Sequence, residues 1–529
     1  MKKILLTLLC ILILPAMFAQ KTSEAFDRGL NLFQNGEYEK ALPFFEEDLA
    51  RQPKSGYSNF AAGACLMKME RYSEAIPYLD QAIKYMPKGE RPLVYIQKAA
   101  AYYGIDNNAA ALEVLNEAVK KYPKLPELYI TRASLYQAME YYPSAINDCD
   151  KALALDPANG QAMFLKSQLL LDKGQYVDAL TLAEQVLAQE RNSAYLRLYI
   201  SIVHCALEQY EEALDNFINY LTHEEYYEES FEVMEILADT IPQQLYERLD
   251  AQAIKYPSSA TWPYMALSAC HHTNEYHRGI GYAQKLHAIA NDSTSYDYLI
   301  STLTRADEYE KVLELLKEAP QWGHSNEDCM GMTFSTLYKA ARYDELLALY
   351  DSLFPDPTLD TNYYHLPVNC YANTQQWQKA LDYLDWLERL PQNKDNEDFP
   401  VFYYNTISEI KLIQHDTLAA QAAAHKAIES DPDRIIAYYI IGDKEKAYQQ
   451  LAKQYDFSSE DGDELYNLAT CYAMMDDPVN ALIYLRKAFE AGYYYGAGRG
   501  IATDYQLYNL RNLPEFKALL EEFAEKQKR

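Results

Sequence analysis

With 529 residues and a formal net charge of -29, the chain is a poor partner for nucleic acid, whose phosphates select basic surfaces. Its eight cysteines stand far apart with no C-x-x-C pair, which excludes a disulfide framework and a zinc ribbon. Most of the acidic charge is expected on solvated helix surface, where self-repulsion keeps a tyrosine-rich molecule dispersed and favours basic partners.

The first element predicted is a leader. Lys2 and Lys3 precede an apolar run from Ile4 to Leu14, and Pro15, Ala19 and the polar Gln20 follow. A charged start, a short apolar run and a polar exit predict a secretory signal peptide over residues 1–19. The run falls short of the roughly twenty residues that span a membrane. Leu9 stands before Cys10 where a lipidation site needs a small residue. The mature chain is therefore expected in the periplasm or at the cell surface, with no integral membrane segment and a net charge of -31 once Lys2 and Lys3 are removed.

A fixed period then takes over. Ala41, Ala75, Ala111, Ala145, Ala179 and Ala213 lie 34, 36, 34, 34 and 34 residues apart, with Tyr38, Tyr72, Tyr142, Tyr176 and Tyr210 three places ahead and Pro53, Pro87, Pro123 and Pro157 twelve behind. Small residues at Gly29, Gly63, Ala99, Ala133, Ser167 and Ser201 let paired helices touch. In the first unit, Ala25 to Asn35 and Glu39 to Arg51 read as two helices joined at Asn35-Gly36, a turn that a glycine-tolerant backbone forms easily. Leu30, Phe33, Leu42, Phe45 and Leu49 give each helix one apolar stripe, and Pro53 stops the second. One such pair buries too little alone, so stacking completes the core.

This pattern resembles the tetratricopeptide repeat (TPR) family, whose 34-residue motif has small residues at repeat positions 8, 20 and 27, large or aromatic ones at 11 and 24, and proline at 32. Gly63, Leu66, Ala75, Leu79, Ala82 and Pro87, or Ala133, Tyr136, Ala145, Ala152 and Pro157, carry the match over six units in residues 22–221. Asp48 departs from it, replacing the small residue at position 27. The resemblance implies an all-α solenoid of roughly thirteen helix-turn-helix repeats.

Beyond residue 221 the period blurs, and residues 222–291 read as divergent repeats or a bend. Weaker units over 292–490 are keyed by Tyr309, Tyr343, Trp377, Ala380, Ala420 and Ala427, and a strong one returns at Leu465, Leu468, Ala469, Tyr472, Ala481 and Ala488. Direction changes are expected at Phe354–Asn362 and Pro391–Phe399. Residues 491–529 read as a glycine-rich connector followed by a terminal cap, built on Leu507, Leu510, Phe516, Leu519 and Phe523.

A search for catalytic chemistry returns little. Tyr227 stands where H-E-x-x-H needs its second histidine, and the spacing of His271, His272 and His277 puts no two rings one turn apart. Those histidines are expected exposed at helix ends. The acidic run Glu460 to Glu464 reads as a helix cap, and the cysteines of the mature chain read as packed free thiols. No catalytic residue, metal or cofactor is expected.

In TPR proteins, repeat positions 2, 5, 9 and 12 of the first helices face the ligand. Here they include Tyr57, Phe60, Met67, Ile96, Tyr103, Ile130, Phe164, Leu171 and Tyr195, with Tyr199 one residue past Leu198. An apolar groove with aromatic anchors suits a protein or peptide segment. The lysine, asparagine and arginine that clamp chaperone tails in this family are replaced by Phe26, Leu30, Ala61 and Gln97. The function expected is a non-catalytic exported scaffold in an envelope assembly. The alternatives are a glycan-binding surface protein using Trp262, Trp322, Trp377 and Trp386, or a helical-toroid enzyme, for which too few residues lie outside the repeats.

Overall fold

The computed structural model describes residues 23–223, 229–355, 363–390, 393, 398–493 and 500–527. The expected leader and most of the two expected direction-changing loops lie outside them. Every regular element among the described residues is helical. Six helix pairs occupy the best-matched repeats: Glu24–Gln34 with Tyr38–Arg51, Gly56–Lys68 with Tyr72–Tyr85, Arg91–Gly104 with Asn108–Lys121, Pro126–Ala138 with Tyr142–Leu155, Gly160–Asp172 with Tyr176–Gln189, and Ala194–Ala206 with Tyr210–Leu221. After Glu229–Thr240 and Pro242–Lys255, pairing continues from Thr261–His272 with Tyr276–Ala290 to Gly462–Met474 with Pro478–Glu490, giving thirteen pairs among the described residues where roughly thirteen are expected.

Local chemistry sets both helix ends. Ser23, Ser55, Asn159 and Ser193 each accept a hydrogen bond from the backbone N–H three residues on, capping the first helix of their repeat. Each first helix then stops at one left-handed residue: Gly36, Glu70, Asp106, Glu140, Gly174 and Glu208, with φ between 58° and 79°. The N–H of the next residue reaches back across the turn, Tyr141 to the Tyr136 carbonyl and Gln175 to the Leu170 carbonyl, both at 2.8 Å. This is the Schellman closure. It recurs at Asn274, Asp307, Ala341, Gln375, His415, Gly442 and Asp476, so the blurred stretch keeps the repeat's turn where its side-chain motif has drifted.

By its contacts the chain divides into two compact units, residues 1–237 and 238–529. In the N-terminal unit Ala75, Ala111, Ala145, Ala179 and Ala213 are fully buried, and the serines opposite do more than leave room. Ser167 Oγ donates to the Ala179 carbonyl at 2.6 Å and Ser201 Oγ to the Ala213 carbonyl at 2.7 Å. Asp48 is not a flaw in the motif: its buried carboxylate accepts from Ser23 at 2.5 Å and from Ser58 of the next repeat, joining the two. A second carboxylate inside the stack, Asp148, takes a two-pronged contact from Arg132 at 2.6 and 2.9 Å, the geometry that suits a guanidinium.

In the C-terminal unit Pro514–Gln527 packs on Pro478–Glu490, with Phe523 4.9 Å from Phe489 and Glu522 bound through both oxygens to Arg486. The residues before it do something else. The 3-10 turn Tyr505–Leu510 lies against the helices 365–373, 399–413 and 462–474, and Gly500–Thr503 before it meets Lys339 and Tyr343, so residues 491–529 are not one terminal element.

Candidate interaction faces

Within the N-terminal unit, the first helices of successive repeats from Glu24–Gln34 to Gly160–Asp172 touch one another, closer than the second helices come. A stack whose first helices crowd together curves toward them, which makes them the inner face. Helix 399–413 touches 435–440, which touches 462–474, in the same way in the C-terminal unit.

The ten groove residues divide by burial. Phe60, Met67, Ile130 and Tyr199 are buried, 5% exposed or less, and so pack between helices instead of facing a partner. Helix 56–68 is enclosed nearly all round because two second helices and the neighbouring first helices cover it. Tyr57, Ile96, Tyr103, Phe164 and Leu171 are half-buried, and Tyr195 is exposed. The Tyr57 hydroxyl donates to Glu90 at 3.1 Å, beside a cleft of about 560 Å3 that Ser23, Asp48, Lys54 and Tyr85 also line.

Three aromatics converge at the fifth and sixth repeats. Phe164 meets Tyr195 at 5.9 Å and Tyr199 at 5.0 Å, edge to face in both cases, the arrangement ring quadrupoles favour. Tyr199 is fixed from below, because Ser167 gives its proton to Ala179 and so accepts the Tyr199 hydroxyl at 3.0 Å. Burial pushes that phenol up to about 12 and keeps it neutral. Asp172, which the motif positions do not flag, borders the patch. Burial raises its carboxyl, and a hydrogen bond from Gln137 partly offsets the rise.

The corresponding face of the C-terminal unit is filled. The Tyr505 N–H donates to Asn373 Oδ1 at 3.0 Å, and the Tyr505 hydroxyl to Glu409 Oε2 at 3.0 Å. Glu409, 2% exposed, also accepts from Gln506 at 3.2 Å and from Asn405 at 2.8 Å. Asp504 accepts from the Tyr466 hydroxyl at 2.6 Å, and Thr503 pairs with the Tyr343 hydroxyl at 2.9 Å. Burial raises both carboxyls, Glu409 and Asp504, against the pull of these donors. It also lowers the nearby Lys339 ammonium to about 8. Two carboxylates with raised pKa values suggest acid–base work. Here both are tied up where the inserted segment docks, Glu409 by Tyr505 and Gln506 of the segment and Asp504 of the segment by Tyr466, which accounts for them structurally.

Other expectations are corrected. Trp262 is 2% exposed, and Trp322, Trp377 and Trp386 are half-buried, each packed on another aromatic ring: Tyr256, Tyr296, Tyr508 and Tyr383 in turn. His271 is not exposed at a helix end. It is half-buried, 2.8 Å from Thr302, and burial lowers it to about 4. The seven cysteines of the described residues are free, and burial pushes Cys65, Cys149 and Cys370 up to about 12, which leaves them unreactive thiols.

Tetratricopeptide repeat family models match residues 26–92, 66–135 and 136–199. A TPR repeat-containing protein of Methanocaldococcus jannaschii is 24% identical over 210 residues, 37% of this chain and 36% of that protein. The DnaJ homolog subfamily C member 7 homolog of Dictyostelium discoideum is 28% identical over 148 residues, 25% of this chain and 28% of that one. This chain thus spans about a third or less of these relatives' length. Among solved structures, the type IV pilus biogenesis factor PilW superposes on 40% of this chain and 96% of its own, at 15% identity and a TM-score of 0.36. Residues 26–199 are tetratricopeptide repeats, and repeats of this kind commonly mediate protein–protein or peptide contacts.

Proposed function

We propose that this chain is a non-catalytic exported scaffold whose N-terminal unit holds an apolar segment of a partner protein in an envelope assembly. One observation carries the reading: Phe164, Tyr195 and Leu171 stand partly open on the first-helix side, over a Tyr199 locked by Ser167. Rigid aromatic anchors on a preformed face are what an extended or helical partner segment needs. Export rests on the sequence of residues 1–19, and N-terminal sequencing of the native protein tests it, a product still beginning at Met1 counting against it.

The test of binding is capture of partners from envelope extract by the full mature chain, with the captured proteins identified, repeated with Phe164→Ala/Tyr195→Ala. True anchors contribute about 2 kcal/mol or more each, so the double variant should release its partner while keeping wild-type helicity. Undiminished capture would place the site elsewhere.

A further inference from the structure

The segment that fills the C-terminal unit makes contacts of the kind a bound peptide makes. Its regular structure is a four-residue helix and one 3-10 turn, 500–503 and 505–510. Its position is the ligand side of the repeats, on the first helices 365–373, 399–413 and 462–474. Asn373 fixes a backbone N–H, Glu409 accepts a tyrosine hydroxyl and a glutamine amide, and Tyr466 donates to an aspartate. Ile501, Leu507 and Leu510 are buried beside them, at most 2% exposed. The residues making these polar contacts lie between 38 and 132 positions away in sequence. Backbone approach is also specified: a Cβ on Gly500 would sit 2.9 Å from the Lys339 carbonyl oxygen, so only glycine enters there without displacing the helix.

We propose that this face is a reading site for a short acidic–aromatic segment of a partner protein, and that residues 500–511 are its resident, displaceable occupant. The segment recognised has the pattern Ile-x-x-Asp-Tyr-Gln-Leu-x-x-Leu, as in Ile501 to Leu510. Aspartate and tyrosine are read by polar groups, and the three aliphatic residues supply buried area. A tethered occupant competes at high effective concentration, so an external segment binds the intact chain weakly and gains the site's full affinity when the resident is loosened. The inference stands apart from the reading of the N-terminal unit and does not depend on it.

A fluorescent peptide of residues 500–512 is titrated by anisotropy into the full chain and into its Asp504→Ala/Tyr505→Ala variant, with circular dichroism on both. The peptide should bind the variant at least tenfold tighter than the wild type, and the gain should vanish when the peptide carries the same two alanines or when Glu409→Ala is added to the protein. A variant of wild-type helicity that ignores the peptide overturns the proposal. So does a variant that loses its helicity, since the segment is then an integral part of the fold. A wild-type dimer formed by exchange of these segments, seen by light scattering, would assign the face to a second copy and also overturn it.

Discussion

Gly174 sits at φ 73°, with no neighbouring atom nearer than 3.8 Å to where a Cβ would stand, so Gly174→Ala isolates a backbone cost from any clash. A left-handed alanine costs about 1–2 kcal/mol, while the stiffer unfolded chain returns about 0.4–1 kcal/mol. The expected outcome is a net loss of about 1 kcal/mol in urea unfolding, with helicity unchanged. Glu70, Asp106, Glu140 and Glu208 already bear that cost at the same place in their repeats. The position was legible as a turn from Asn35-Gly36 in the first unit. It was not legible where glutamate or aspartate stands, because those side chains signal a solvated helix surface as readily as a helix stop.

At the level of the element, the inserted segment couples its docking to protonation. Glu409 and Asp504 are both raised in the folded state, so folding penalises their charged forms. Below the unfolded values both states are protonated and the penalty is absent. As pH rises through and above those values the penalty grows, and stability is lost. Stability of the C-terminal unit should therefore rise as pH falls from neutrality toward the unfolded carboxyl values, about 4. The acidic chain as a whole also loses self-repulsion over that range, so the informative quantity is the difference between wild type and Glu409→Gln. Glutamine removes the titrating charge that faces Tyr505, Gln506 and Asp504, and the variant should show a shallower rise in chemical-denaturation midpoint. Equal slopes would remove Glu409 as a source of the dependence.

For the whole molecule, the two units differ in how their cores connect. The N-terminal unit holds small hydrophobic clusters confined to neighbouring repeats, such as Tyr129 to Leu169. In the C-terminal unit one cluster runs from Val368 to Phe523 and includes Ile501, Tyr505, Leu507 and Leu510. Nearest-neighbour repeats unfold piecemeal, while elements tied by a shared insert unfold together. Leu507→Ala/Leu510→Ala, two cavities at about 2–5 kcal/mol each, should lower hydrogen-exchange protection across residues 365–490 as a block and leave residues 24–221 as they were. Loss confined to the segment itself would contradict the shared core. The N-terminal pairs could be read from sequence because every contact that defines them repeats within one period. The insertion could not: Tyr505 meets Asn373 and Thr503 meets Tyr343 across 132 and 160 residues, and Leu507 and Leu510 fit a terminal cap equally well in their apolar pattern. The buried Phe60 and Met67 fit the groove positions of the motif, and only the packing of neighbouring helices shows them enclosed.

Threading the segment at 500–510 through the inner face also fixes an order of assembly during synthesis. The first six helix pairs close on partners already made, so each can settle as the next one emerges from the ribosome. Residues 365–490 can also pair in order, but their shared core lacks Ile501, Tyr505, Leu507 and Leu510 until residue 510 has been translated. Their first-helix surfaces stay uncovered through that interval, the condition in which nascent chains aggregate or engage holding factors. Stalling translation before residue 500 should leave the N-terminal repeats closed and the C-terminal ones helical with that face still open.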